Sequence, residues 1–431
     1  MGAAKKIINI GMLGCGIVGT QVATLLHLNN EELSTRAGAE LVLKKIAVRN
    51  INTLREGIHS DKLTTDAQSI VDDPDIDLII EVMGGIEPAG ELILRAINNG
   101  KSVVTANKAL LASDGADLFS AAHKAGVDLY YEAAVAGAIP IIRPMRESLV
   151  GDQITRVMGI VNGTTNYILT KMDEEGRAFA DVLKEAQELG YAESDPSADV
   201  DGIDAAAKAA ILAGLAFHTR VTADDVFTQG ISSITQDDVA VAKAMNHVIK
   251  LLAIAELTSD DKISVRVHPM LIPRSHPLAS VRDAFNAVFV EAKSAGQLMF
   301  YGRGAGGAPT ASAILGDVVA VARHISRGAV GPRESDYADR DIAPIGEIRT
   351  QFLIRLDVAD KSGVLAAIAQ TFASEGVSIQ TVRQSGRGNE AELIVVTHSA
   401  TEAALTSTVS ALEKMDFVVN VDSVIRVEAG A

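Results

Sequence analysis

Five carboxylates, Glu193, Asp195, Asp199, Asp201 and Asp204, crowd into twelve residues just ahead of Ala205-Ala206-Ala207-Lys208. The alanines read as helix, so Asp204 and Lys208, four apart, share one helix face. That pair can be an exposed ion pair worth about 0.2–0.5 kcal/mol. An acidic loop can also hold a metal, although the glycine-centred spacing of a calcium loop is absent. A third chemistry is proton transfer. Oxidising an alcohol with a nicotinamide needs a group that takes the hydroxyl proton, and the reverse reaction needs one that returns it. A lysine beside acids that grip an ammonium-bearing substrate can do both. Lys108, in Val104-Thr105-Ala106-Asn107-Lys108-Ala109, is a second candidate, because it follows a strand at the carboxyl edge where doubly wound sheets place ligands.

Such chemistry needs a dinucleotide, and Gly14-Cys15-Gly16-Ile17-Val18-Gly19 offers a place for one. The loop stands between an apolar run and an amphipathic stretch. Gly14, Gly16 and Gly19 permit a tight turn, close approach to a pyrophosphate and close helix packing, while Ile17 and Val18 open a helix whose free N–H groups face the phosphates. Cys15 reads as small filler. The second strand carries no acid from Leu41 to Asn50 and ends Ala47-Val48-Arg49-Asn50. An acid there would favour the ribose hydroxyl of NAD. Arg49 instead can face the 2′-phosphate of NADP, or simply be a solvated strand-end arginine.

The elements that must position these residues follow a rhythm. Ile7–Leu13, Leu41–Val48, Asp77–Val82, Ser102–Thr105 and Val127–Tyr131 read as strands, with helices over Val18–Leu28, Ala89–Asn98 and Gly115–Ala125 between them. That alternation predicts an α/β, Rossmann-type doubly wound nucleotide domain over 1–140. Residues 141–309 read as an α+β catalytic and dimerisation domain, with strands Ile154–Val161 and Lys262–Pro273 and helices Asp181–Leu189 and Asp204–Phe217. Thr310–His324 reads as a helix, and 325–350, with its prolines and glycines, reads as a linker. Beyond it the order β-α-β-β-α-β over 351–431 is the ferredoxin-like plan.

With 39 Lys+Arg against 55 Asp+Glu the formal charge is −16, which argues against a nucleic-acid protein. The absence of tryptophan and 4% aromatics argue against base-stacking platforms. One cysteine excludes a disulfide framework and a paired-cysteine metal site. No long uncharged apolar run predicts a membrane span, and the start, Met-Gly-Ala-Ala-Lys-Lys, leads straight into the first strand, so a cytoplasmic protein is expected.

Taken together, the motifs resemble the homoserine dehydrogenase family in its long form, with a C-terminal ACT domain. The blocks that carry the resemblance are Gly14–Gly19, Glu81-Val82-Met83-Gly84-Gly85, Thr105–Lys108, Tyr131–Gly137, Asn162-Gly163-Thr164-Thr165-Asn166-Tyr167-Ile168-Leu169, Glu193–Lys208 and Gly304–Thr310. The resemblance implies interconversion of L-homoserine and L-aspartate 4-semialdehyde with NAD(P), on the route to threonine and methionine. It implies Lys208 as proton donor and acceptor, Glu193 and Asp204 holding the substrate with Asp199 in support, and Lys108 near the nicotinamide end. Gly304 would pack on the cofactor from the far side, and helix Thr310–His324 after it would return to the nucleotide domain. It also implies a monovalent cation, usually Na+, held by one carboxylate and backbone carbonyls at Glu132, Val135, Gly137 and Ile139; Ala136 departs from a frequent glycine. A homo-oligomer, dimer or tetramer, is expected. The competing classes are another semialdehyde dehydrogenase and a dinucleotide-sensing regulator without turnover.

The C-terminal module contributes no catalytic group. Val358–Leu365 resembles the ligand corner of ACT domains; Asp360 or Ser362 can cap the following helix, and Gly363 admits a small ligand close to the backbone. L-Threonine is the expected effector.

Overall fold

The structure, a computed structural model, describes residues 6–333, 338–386 and 390–428. Residues 1–5, 334–337 of the expected linker, and 387–389 and 429–431 of the C-terminal module lie outside the described residues. Two compact units divide the chain. The first comprises Met1–Val157, Ala207–Asp224 and Asn286–Asp339, and the second Met158–Ala206, Asp225–Phe285 and Arg340–Ala431.

The first unit is built on a parallel sheet. Its strands run in the order Leu63–Thr64, Glu40–Ala47, Ile7–Leu13, Leu78–Glu81, Ser102–Thr105, Leu129–Tyr130. In chain order that is 3-2-1-4-5-6, the doubly wound arrangement whose strand order reverses beside the first strand. Successive side chains go to opposite faces, as strand geometry requires. Leu78 and Ile80 join Ile8, Ile10 and Met12 in one core, whereas Ile79 and Val103 join the other. Helices Ile17–Leu28 and Gly307–Arg327 cover the first face, the latter through Ala311, Ile314, Leu315, Val318 and Ala322 at helical spacing. Helices Ala89–Asn98 and Lys108–Ala125 cover the second. The last of these starts seven residues before the Gly115 expected from sequence. Asn107 caps it, its side chain accepting from Leu110 N at 3.2 Å, and so Lys108 becomes its first residue.

In the second unit, His247–Leu257 and Ile263–Pro273 form a long antiparallel pair. The outer edge of Ile263–Pro273 is covered in three places. Ile342 bridges to Ile263, Phe227–Thr228 pairs with Arg266 and Val267, and Arg426 and Val427 pair in parallel with Met270 and Leu271. The last contact joins the C-terminal module to this sheet. That module has four antiparallel strands in the order Val418–Val427, Arg349–Ala359, Glu390–Thr397, Ile379–Gly386. Phe352, Ile354, Leu356 and Val358 alternate onto one face and pack with Ile368 and Phe372 of helix Val364–Ser374 and Leu405 and Leu412 of helix Glu402–Leu412. One expectation fails here. Neither Asp360 nor Ser362 caps Val364–Ser374; Gly363 occupies the cap with φ 93° and no side chain bonds there. The Asp360 carboxylate accepts from Gln384 Nε2 at 3.3 Å instead, across to the neighbouring strand. No helix among the described residues is long and apolar enough to cross a membrane.

Candidate active site

The glycine loop lies at the switch point of the parallel sheet. Gly14 has φ 98°, donates from N to Ala47 O at 3.0 Å, and a Cβ there would fall 2.7 Å from Val82 O. Only glycine fits that turn. Gly16 caps helix Ile17–Leu28 and has nothing within 4 Å of a built Cβ, which leaves space for a phosphate. Gly19 seats the first helical turn directly on Gly14 O. The N–H groups of Ile17, Val18 and Gly19 belong to that first turn, where a helix leaves donors without intrahelical partners, and no acidic side chain opposes an anion there. Arg49 is exposed just past the end of the second strand. Arg55 reaches back from the following loop, its Nε donating to Cys15 O at 2.9 Å and its Nη1 to Asn50 O and Thr53 O at 3.1 and 2.9 Å.

A buried acid organises the neighbouring strand ends. Glu81 accepts from Met83 N at 2.7 Å, Gly84 N at 3.1 Å and Thr105 Oγ1 at 2.6 Å. Asn107 Nδ2 then donates to Gly85 O at 2.6 Å. These bonds fix the loop from which Lys108 opens its helix. Lys208, also in this unit, is buried with 8% exposure on helix Ile203–Phe217.

The expected cation loop and the late glycine loop meet. A Cβ on Gly137 would strike Gly304 O at 2.4 Å, and one on Gly304 would strike the Asn286 amide at 2.0 Å. Ala136 stands at φ 56°, a left-handed conformation that favours glycine, so the departure noted in the sequence is accommodated with local strain. The Glu132 carboxylate is turned elsewhere. It accepts from Ile141 N at 2.6 Å, Ile142 N at 2.8 Å and Arg143 N at 3.0 Å. Those donors take three of the carboxylate's roughly four acceptor sites. Val135, Gly137 and Ile139 offer main-chain carbonyls, hard oxygens of the type that alkali cations take. No cluster of acidic, histidine or cysteine ligands suited to a metal occurs among the described residues.

In the second unit the acids gather around one amide. Asn162 caps helix Gly163–Glu175 through Oδ1, which accepts from Thr165 N at 2.9 Å. Its Nδ2 donates to Asp199 Oδ1 at 2.6 Å and to Asp204 Oδ2 at 3.0 Å. Asp199 rides on a short helix, Ser197–Val200, where a loop was expected. Asp204 lies in the first turn of Ile203–Phe217, one turn before Lys208. Glu193 is exposed, and Gln187 Nε2 donates to its carbonyl at 3.0 Å. Asp195 is held below the usual carboxylate range by the Ser197 hydroxyl and N–H, which marks it as a turn-forming acid. The far end of the short helix is also tied down: Ile231 N donates to Val200 O at 2.8 Å, and a Cβ on Gly230 would overlap that carbonyl.

Family models match the chain in three consecutive stretches: a homoserine dehydrogenase NAD-binding domain over 14–132, a homoserine dehydrogenase domain over 140–319 and an ACT domain over 352–417. The homoserine dehydrogenase of Corynebacterium glutamicum is 54% identical over 98% of this chain and 96% of its own. A crystal structure of a homoserine dehydrogenase from Thiobacillus denitrificans superposes with a TM-score of 0.93 at 42% identity, covering 98% of this chain and 99% of that one. A hyperthermophilic archaeal homoserine dehydrogenase in complex with NADPH superposes with a TM-score of 0.63 at 28% identity over 73% of this chain and 97% of its own. The chain belongs to the homoserine dehydrogenase family.

As a homoserine dehydrogenase family member it is an oxidoreductase with a pyridine-nucleotide domain and a small-molecule substrate. Two residues beside its sites escaped the sequence reading. Arg55 sits in a polar loop with no pattern around it, and a lone arginine carries no signal. Asn162 did have one: an Asn-Gly-Thr-Thr start ahead of apolar residues is a helix-cap signature. Its second role, bridging two acids some forty residues away, depends on tertiary placement alone.

Proposed function

We propose that the chain catalyses the reversible oxidation of L-homoserine to L-aspartate 4-semialdehyde with NADP in preference to NAD, on the route to threonine and methionine. The observation that carries this reading is the Asn162 amide holding Asp199 and Asp204 together, with Lys208 buried one helical turn beyond Asp204. Two fixed acids suit the substrate ammonium, and Glu193 extends the acidic loop that receives it. The Lys208 amine takes the hydroxyl proton during oxidation, and its ammonium returns a proton to the aldehyde oxygen during reduction. Bound nicotinamide accepts or supplies the hydride. Gly14, Gly16, Ile17, Val18 and Gly19 hold the pyrophosphate, Lys108 stands at the nicotinamide end, and Gly304 keeps the facing loop close.

Arg49 and Arg55, on the loop that follows a second strand with no acid at its carboxyl end, support a preference for the 2′-phosphate; the archaeal relative in complex with NADPH fits the same reading. A monovalent cation such as Na+ belongs to it through the carbonyls of Val135, Gly137 and Ile139, with the Glu132 carboxylate bracing the turn. Threonine is the proposed effector of the ACT domain, whose last strand is hydrogen-bonded to the sheet of the second unit.

Initial rates of homoserine oxidation measured separately with NADP and NAD test the reading. Oxidation faster with NADP is expected, and failure with both removes the central claim. Lys208→Ala is expected to cut turnover by about two to four powers of ten with little change in cofactor affinity. Near-full turnover would reduce Lys208 to an ion-pair partner.

A further inference from the structure

Strand His247–Leu257 carries a charge in the middle of an apolar run. Val248, Ile249, Leu251 and Leu252 are buried, and Lys250 is buried among them. Taking an ammonium out of water is costly unless its donors are met. Its partners here are neutral oxygens: Nζ donates to Val281 O at 2.6 Å, to Asn166 Oδ1 at 2.8 Å and, at 3.5 Å, to Thr170 Oγ1. Bonds from an ionised donor are the strong ones. Two of these three end on helix Gly163–Glu175 and so hold it at a fixed point, where apolar packing alone would let it turn.

Asn166 is the main point held. Its Nδ2 donates to Asp283 O at 2.9 Å, Phe285 O at 3.1 Å and Val281 O at 3.3 Å, so one buried amide joins the lysine to the turn 281–285. Asp283 stands there at φ 51°, a conformation that a non-glycine residue keeps only where its surroundings impose it. Asn162, Asn166 and Thr170, four apart and all buried, make a polar stripe along one face of the helix. The first helical hydrogen bond, from Asn166 N to Asn162 O at 3.3 Å, couples the two amides. Asn162 is the residue whose Nδ2 bridges Asp199 and Asp204. All of these residues belong to the second unit.

We propose that Lys250 is a positioning residue for the substrate acids: through Asn166 its ammonium sets the rotation of helix Gly163–Glu175 at which Asn162 meets Asp199 and Asp204. The lever is short. Outer atoms of a helix lie about 5 Å from its axis, so a turn of about 15° carries the Asn162 amide by about 1.3 Å. Bonds of 2.6 and 3.0 Å do not survive a displacement of that size. Lys250 acts through other residues and has no part in the proton transfer assigned to Lys208. The inference rests on the homoserine reading, and its test separates the two.

The test is steady-state homoserine oxidation by the full-length chain, with circular dichroism confirming that each variant is folded at the assay temperature. Lys250→Met keeps an unbranched stem and removes the ammonium. It is expected to raise KM for homoserine at least about fivefold, with kcat and KM for NADP within about twofold, the pattern of lost substrate binding. In an Asn162→Asp background, where the bridge is already gone, the same substitution should change KM by less than about twofold, because a residue that acts through Asn162 has nothing left to act on. Should Lys250→Met not fold, Asn166→Asp replaces it: an oxygen remains for Lys250, the donor to the turn 281–285 is lost, and the same rise in KM and the same silence in the Asn162→Asp background are expected. A wild type that does not oxidise homoserine overturns the substrate reading and this inference with it. With an active wild type, an unchanged KM in the folded variant, an equal loss of kcat, or a full rise in the Asn162→Asp background overturns the inference alone.

Discussion

Arg426 Nη1 donates to Gln229 Oε1 at 2.7 Å, tying the last strand of the C-terminal module to the loop that braces the helix carrying Asp199. Glu402 holds the same guanidinium from the other side, with Nη2 to Oε2 at 3.0 Å. Gln229 N is bonded to Val267 O, and Ile231, two residues on, bonds Val200 at the end of the helix that carries Asp199. A change in the ACT strand thus has a short bonded route to the acids. Gln229→Ala should leave uninhibited turnover within about twofold and raise the threonine concentration for half-inhibition by roughly 5- to 150-fold, the span of ordinary coupling energies. Inhibition curves for the two proteins check this; identical curves would mean that the route is not used.

Asn162→Asp separates capping from substrate holding. Aspartate caps as well as asparagine, so the helix start should survive, although losing the bonds to Asp199 and Asp204 should lower the thermal midpoint by several degrees. The amide that joins Asp199 and Asp204 is replaced by a third acid, and charge-assisted bonds worth about 1.5–3 kcal/mol are lost. KM for homoserine should rise by at least tenfold, with KM for NADP unchanged.

Arg49→Ala should weaken NADP selectively. Loss of a charge-assisted contact to phosphate costs about 1.5–3 kcal/mol, roughly a 10- to 150-fold rise in KM for NADP, with NAD nearly unaffected. Equal losses with both cofactors would shift the role to Arg55, whose Nε already contacts the glycine loop.

Lys250 supplies a pH signature. Its ammonium is buried, donates to Asn166 Oδ1 at 2.8 Å and Val281 O at 2.6 Å, and is pushed down to about 8 by burial against a usual 10.5. Asp173 and Glu174 oppose that shift, while Arg274 and Arg282 reinforce it. Between about pH 8 and 10.5 the unfolded chain therefore binds more protons than the folded one, and stability rises with pH through that window. The unfolding free energy of the wild type minus that of Lys250→Met should climb from pH 8 to 10.5 and stay flat below 8. A flat difference throughout would show that Lys250 titrates alike in both states.

The parallel sheet was legible because its strands are short β-branched runs with glycine and asparagine between them; Ser102–Thr105 and Ile7–Leu13 match residue for residue. His247–Leu257 was not. Its Leu, Ala, Lys and Glu residues are good helix formers, yet it is a nearly wholly buried strand, where packing outweighs propensity. Among the site residues, the glycine loop and the Asp204–Lys208 spacing are local patterns and could be read directly. The Asn162 bridge, the Arg55 contact and the commitment of Glu132 to three N–H groups are long-range or conformational, and spacing carries no trace of them.

The covering of strand Ile263–Pro273 has a consequence for any shortened form of the chain. Ending it before Arg340 removes two of the three segments on that edge, Asp341–Ala343 and Arg426–Glu428, and leaves only Phe227–Thr228. The bared strand presents unpaired N–H and C=O groups between apolar side chains, a surface onto which another copy can add its own strand. The C-terminal module thus also covers a strand edge, and its loss should make the truncated chain adhesive to itself.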